Sequence, residues 1–225
     1  MSDIDVRSYV DQLRRALPYV PPVALGKIEA MHRKGDLGGI VKTVRRTMNL
    51  NVRIALHWTS DAPEGKPAWV IMPRDMPYYG TPEFSCVKVR VYIVKSFAMK
   101  EHYTRFAAAV AHELSHVVLR AIDHPLKEDE KAVDLTAMIL GFSDVYRRSV
   151  HRIERTGWNS FLQHPLGYLS EDEIDAACRL LLPFRLRARH AIRNYLVLNT
   201  GIVLSMLLLG VIGFLLWLGP FAGRV

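Results

Sequence analysis

His112, Glu113 and His116 stand in the run AHELSHVVL, an HExxH between apolar flanks. On a helix, four residues turn the chain by about 400°, so both imidazoles leave one face, one turn apart. Two nitrogens placed in this way can bind one Zn2+ at ~2.0–2.1 Å. Glu113 is rotated by about 100° from His112. It misses the metal but reaches a water held there. Zinc lowers the pKa of such a water to roughly 7, and a carboxylate can take its proton. These residue types at this spacing point to metal-assisted hydrolysis, with His112 and His116 as ligands and Glu113 as general base.

Zinc that keeps a position open for chemistry ordinarily has three protein ligands. An extension with a glycine and a third histidine after the HExxH is excluded, because Leu119 and Ile122 occupy those places. His124 lies close in sequence, but beside Pro125 in a connector. The run EKAVD offers Glu130 and Asp134, four apart and therefore on one helix face. One carboxylate can bind zinc while the other accepts the free N–H of a ligand histidine and fixes its tautomer. Glu130 is the expected ligand and Asp134 the expected orienting partner. The reverse assignment stays open, because Asp134 lies in the more apolar run VDLTAMIL. Each feature alone has a plainer reading, as a chance HExxH or a solvated acidic face. Their combination points to a site, since a glutamate buried beside two histidines is costly without a metal.

The elements that must position these residues follow from periodicity and punctuation. Residues 3–17 read as an amphipathic helix carrying Ile4, Tyr9, Val10, Leu13 and Leu17, ended by Pro18. Helices are predicted over 21–36, with prolines at the start, and over 37–49. Strands are predicted at 51–58, 68–73 and 85–95; the last places Val87, Val89, Val91 and Ile93 on one face. A long helix over 101–122 carries the HExxH. Another over 128–141 carries Glu130 and Asp134 and is closed by Gly141. Ser170 and Glu173 form a capping box for a helix from about Glu171. The expected fold class is α+β, with a small sheet beside the active-site helix.

The tail differs. Leu196–Leu218 holds no charged residue. At ~1.5 Å per residue it extends roughly 34 Å, enough to cross a ~30 Å hydrocarbon layer. Tyr195 and Trp217 mark its ends, where aromatic rings favour the interface. Four arginines precede it, Arg185, Arg187, Arg189 and Arg193, and only Arg224 follows. The positive-inside rule then places the bulk of the chain in the cytoplasm, as a single-pass tail-anchored protein. The arginine neck can hold anionic head groups. Gly201 and Ser205 form a small-xxx-small pair that the span tolerates without specifying an oligomer. The N-terminus has no apolar signal core.

The 225 residues carry a formal net charge of +8. No aromatic-interleaved basic motif of the RNA-binding type appears, so no nucleic-acid partner is expected. Cys86 and Cys178 lack metal-binding or redox spacing and read as two reduced, buried thiols.

HExxH followed by ExxxD on a later helix resembles the gluzincin clan of zinc metallopeptidases. AHELSHVVL, DLTAMILGF and GYLSEDEI together look like a group of predicted bacterial membrane-associated metallopeptidases of undefined function; these patches span about residues 111–174. The resemblance implies a zincin-like domain, with His112, His116 and Glu130 as zinc ligands, Glu113 as base and Asp134 behind a ligand. It implies a transition-state donor, for which Tyr168 is the candidate, with His151 behind it. It also implies an edge strand that pairs with extended substrate, a role the strand at 85–95 could fill. Only fourteen positions separate His116 from Glu130, a short gap for the clan.

The expected organisation is an N-terminal helical segment (1–50), a zincin-like metallopeptidase domain (51–182), a basic juxtamembrane neck (183–194) and a membrane anchor (195–219). The expected activity is cleavage of protein or peptide substrates, with the inner membrane as the location if the source is bacterial. A non-catalytic zinc-binding membrane scaffold or regulator is the alternative. A metal-free protein acting at the membrane through its basic neck is a second one.

Overall fold

The computed structural model describes residues 3–61, 63–150 and 168–182, with backbone only for residues 3–5, 64 and 150. All of them fall within one unit, Met1–Pro183. The expected neck and membrane span, 183–194 and 195–219, lie outside the described residues. Among the described residues, no helix is long and apolar enough to cross a membrane.

The architecture is α+β. Helices α1 (Asp3–Ala16), α2 (Leu25–Arg33) and α3 (Leu37–Thr47) precede strands β1 (Arg53–Thr59), β2 (Ala68–Ile71) and β3 (Lys88–Val94). Then follow α4 (Lys95–Lys100), α5 (Tyr103–Ala121), α6 (Glu130–Ala137) and α7 (Ser143–Val150), and a last helix, α8, over 171–182. The sheet order is β1-β3-β2, with β3 parallel to β1 and antiparallel to β2. Alternation on β3 buries Val89, Val91 and Ile93 and exposes Lys88 and Arg90. The helices pack on that apolar face, and α5 lies at the centre, against α2, α3, α6, α7 and β2.

Four differences from the sequence reading have identifiable physical causes. The strand predicted at 85–95 is central, hydrogen-bonded on both sides. It has no free edge for a substrate; β2 and β1 are the edges. Helix α2 begins only at Leu25, because the preceding backbone is already engaged. Val20 N–H donates to the Ile139 carbonyl and Val23 N–H to that of Gly141. The buried stripe of α1 is Val6, Val10 and Leu13, continued by Leu17 just past its end. Tyr9 lies at its margin, where its hydroxyl donates to Asp129. Neither cysteine forms a disulfide, but Cys86 is exposed rather than buried, at the end of a 3-10 turn.

Gly141 stops α6 and redirects the chain. It adopts φ 102° inside a π-type turn, Met138–Phe142, a conformation that costs glycine little. Helix resumes at Ser143. In one unbroken helix, Asp134 and Tyr146 would stand about 18 Å apart along the axis. The turn brings α7 back, so the Tyr146 hydroxyl donates to Asp134 Oδ1 at 2.8 Å.

Candidate metal centre

Helix α5 runs 19 residues without proline or glycine, and its wall is almost wholly buried. His112 and His116 leave one face as i and i+4, with ring centroids 5.0 Å apart. Helix α6 starts opposite them because Asp129 caps it, accepting from the N–H groups of Lys131 and Ala132. The Tyr9 hydroxyl holds that cap from α1 at 2.6 Å. Glu130 is therefore the first residue of α6, aimed at α5.

Glu130 Oε2 lies 3.1 Å from His112 Nε2 and 3.3 Å from His116 Nε2. One ligand atom from each of the three residues falls within 4.8 Å of the others, a grouping that could hold a metal ion. Glu130 Oε2 is buried and, although both imidazoles lie close and His112 acts on its charge, makes no well-aligned hydrogen bond. Buried acceptors are ordinarily satisfied. Three converging lone pairs with an unsatisfied carboxylate oxygen among them fit a cation.

Asp134 is fully buried one turn along α6 and faces the other nitrogen of His112, accepting from Nδ1 at 2.7 Å. That bond puts the proton on Nδ1 and leaves Nε2 free to ligate. Asp134 also accepts from the Tyr146 hydroxyl at 2.8 Å and the Tyr168 N–H at 2.6 Å. The last bond ties the approach to α8 onto α6. The capping box completes the junction: Ser170 N–H donates to Glu173, and Glu173 N–H to the Ser170 hydroxyl. Lys131 pairs with Glu173 at 2.9 Å. In this position the Tyr168 ring stacks on His112, centroids 5.7 Å apart, while staying about half exposed.

The charges are strongly coupled. Burial works against a proton on His112, but the Asp134 hydrogen bond and the neighbouring Glu130 outweigh it and raise the pKa to about 10. Burial and the charge on His112 push His116 down to about 4. The His112 imidazole lowers Glu130. Without a cation, one proton thus sits among the three groups. Glu113, next to His112 on α5, lies within reach of the charges of His112, Glu130 and Lys66. Burial raises its carboxyl to about 7, although His112, Lys66 and a backbone hydrogen bond from Val70 of β2 act the other way. A carboxylate tuned near neutrality suits proton transfer at physiological pH.

His124 is not part of the cluster. It is buried, and its Nδ1 accepts from the Leu126 N–H, which shapes the connector between α5 and α6. His151 lies outside the described residues. Sequence reasoning missed three contributors: Tyr146, the Tyr9–Asp129 link and Lys66. A tyrosine twelve positions after Asp134 carries no motif, and only the turn at Gly141 makes it a neighbour. Lys66 lies in a loop whose path the sequence does not define.

Comparisons with family models, with curated proteins and with solved structures gave no match. The functional reading therefore stands on residue chemistry and geometry.

Proposed function

We propose that this chain is a membrane-anchored zinc metallopeptidase of gluzincin type, hydrolysing peptide bonds with Glu113 as general base. The observation that carries the reading is the convergence of His112, His116 and Glu130 on one point, with an unsatisfied Glu130 oxygen among them and Glu113 beside them. Zn2+ is the ion this donor set favours, and when bound it supplies Lewis acidity and lowers the pKa of water. The protein's part is to hold and move protons. Asp134 keeps the His112 proton on Nδ1. Glu113 accepts a proton from the attacking water and returns it to the leaving amine. Tyr168, fixed by its N–H on Asp134 and its ring on His112, offers a hydroxyl for the developing oxyanion.

The edge strand nearest the base is β2, and extended substrate would add to it by main-chain pairing. The uncharged stretch 195–219 serves as anchor, and Arg185, Arg187, Arg189 and Arg193 meet anionic lipid. The bulk of the chain then faces the cytoplasm, at the inner membrane in a bacterium. Cytosolic segments of membrane proteins are the substrates within reach.

A structural zinc site has no use for Glu113, whereas a carboxyl raised to about 7 beside the cluster suits a catalytic one. The test is the full chain in detergent, assayed for zinc content and for hydrolysis of a peptide library, beside Glu113→Gln. The expected result is near-stoichiometric zinc in both and about 10²–10⁴-fold slower hydrolysis in the variant. Zinc in both with equal hydrolysis, or with none, would favour the scaffold. Absence of zinc after metal is supplied would sink the reading.

A further inference from the structure

The solvent face of the sheet plays no part in the site above. By register it carries Arg53, Ala55 and His57 on β1, Lys88, Arg90 and Tyr92 on β3, and Trp69 and Ile71 on β2. His57 stacks on Tyr92 with centroids 4.8 Å apart and planes 17° apart. Trp69 stacks on its other side at 5.2 Å and 3°. These separations are too short for rings lying side by side in one plane. The three rings overlap face to face across the strands and stand upright on the sheet. The strand positions of this face include three cations, Arg53, Lys88 and Arg90, and no acid. Arg53 is the direct partner of Lys88, a like-charge pairing that destabilises a sheet. No acidic side chain among the described residues relieves it. Local conflict of this kind marks functional surfaces.

The charge of the chain itself narrows the occupant. The stretches 151–167 and 183–225 together carry seven arginines against the single acid Glu154. They are poor complements to a basic face. A second copy, at net charge +8, is no better. The partner must be anionic. Bases of a single-stranded nucleic acid stack on open ring faces, but both faces of the central ring, Tyr92, are covered by His57 and Trp69. What projects outward is the rim, with the Tyr92 hydroxyl, the Trp69 N–H and the His57 nitrogens. Rings with a polar rim, set among arginine and lysine and next to exposed Ile71, suit the head-group layer of a bilayer.

We infer that the outer face of the β1-β3-β2 sheet docks on an anionic membrane surface, through Arg53, Lys88 and Arg90 and the rims of His57, Tyr92 and Trp69. The inference rests on the anchor proposed above only for bringing a bilayer near. Docking would fix the tilt of the domain on the membrane and thus the direction from which substrate reaches β2.

The test is hydroxyl-radical footprinting of the full chain in nanodiscs of phosphatidylcholine alone or with phosphatidylglycerol added. Oxidation of Trp69 and Tyr92 should fall in the anionic discs and recover at high salt. Each basic residue near an anionic surface strengthens association roughly fivefold, so Arg53→Gln/Lys88→Gln/Arg90→Gln loses roughly a hundredfold. That variant should oxidise in anionic discs as the wild type does in neutral ones. Equal oxidation of the wild type in both discs would overturn the inference, and this comparison needs no variant to fold. Protection by an added oligoribonucleotide but not by anionic lipid would overturn it in favour of nucleic acid. Co-elution with neutral discs reports the anchor separately. If the chain does not co-elute, the same footprint with added anionic vesicles still decides the face: protection supports docking, and its absence overturns it.

Discussion

Asp134→Asn and Glu130→Gln, taken as a pair, separate stability from metal binding at the site. The carboxylate satisfies three donors: His112 Nδ1–H and the Tyr146 hydroxyl on Oδ1, and the Tyr168 N–H on Oδ2. Asparagine keeps the shape. Its oxygen best replaces Oδ1 and retains two donors, which sets its NH2 against the Tyr168 N–H. One donor is then left facing another, at a cost of about 1–3 kcal/mol. The flipped amide strands two donors and costs more. Metal affinity should fall as well, because His112 loses an anionic partner; such losses are about 10–100-fold. Glu130→Gln should behave in the opposite way. Glu130 is one-third exposed, which screens its pairing with His112, so metal-free stability should fall by no more than about 1 kcal/mol while zinc binding is largely lost. The assays are urea denaturation of metal-free full chain in micelles at pH 7, followed by tryptophan fluorescence, and zinc titration against a chelator. An Asp134→Asn protein as stable as wild type would refute the three-donor account. Zinc lost mainly in Asp134→Asn and kept in Glu130→Gln would exchange the two roles.

The coupled charges predict a pH dependence. Folding raises the His112 pKa from 6.5 to about 10, so its contribution to metal-free stability is complete below about 6.5 and disappears as pH rises through 10. Zinc must displace that proton: calorimetry at pH 8 in buffers of different ionisation enthalpy should show about one proton released per ion, with affinity rising about tenfold per pH unit up to 10. A Cβ on Gly141 would stand 2.8 Å from the Pro21 carbonyl at φ 102°, so Gly141→Ala should destabilise by at least about 1–2 kcal/mol in urea melts. It should also weaken zinc binding by displacing Tyr146. Tyr168→Phe should lower kcat by about 10²–10³ with KM nearly unchanged, since its hydroxyl is proposed to act only on the oxyanion; an unchanged kcat would leave the ring with a packing role against His112.

The parts of this molecule legible in the sequence are those written by local periodicity. The spacing of His112 and His116 sets their common face, and that of Glu130 and Asp134 sets theirs, because each pair lies on one helix. Alternation from Lys88 to Ile93 reveals a strand with one buried face. Ser170 and Glu173 announce a helix start that the hydrogen bonds reproduce. What the sequence hides is long-range. Strand order cannot be read from alternation, which is why β3 could be taken for an edge. The late start of α2 depends on carbonyls more than a hundred residues away. Tyr9 reads as one more apolar position on α1, yet its hydroxyl holds the cap of α6 and so the aim of Glu130. The helix after Gly141 was invisible for a related reason: a glycine that closes one helix says nothing about whether another begins two residues later.

The placement of β2 joins these strands of argument. Its antiparallel partner β3 fills one side, and Val70 on it bonds the carboxylate of Glu113. The edge that a main chain could pair with and the group that would move the proton are therefore one hydrogen bond apart. On the proposed function, a peptide extending the sheet at β2 would pass beside Glu113. Trp69, next to Val70 on the same strand, points to the opposite face and joins the ring stack on Tyr92. A surface that engages the Trp69 side of the sheet thus acts on a strand whose other side carries the base. If docking steadies β2, the same peptide should be cleaved with a lower KM on anionic than on neutral discs. The charge-stripped Arg53→Gln/Lys88→Gln/Arg90→Gln variant should lose that difference while keeping its neutral-disc rate. Equal KM on both surfaces for the wild type would leave docking without influence on the site.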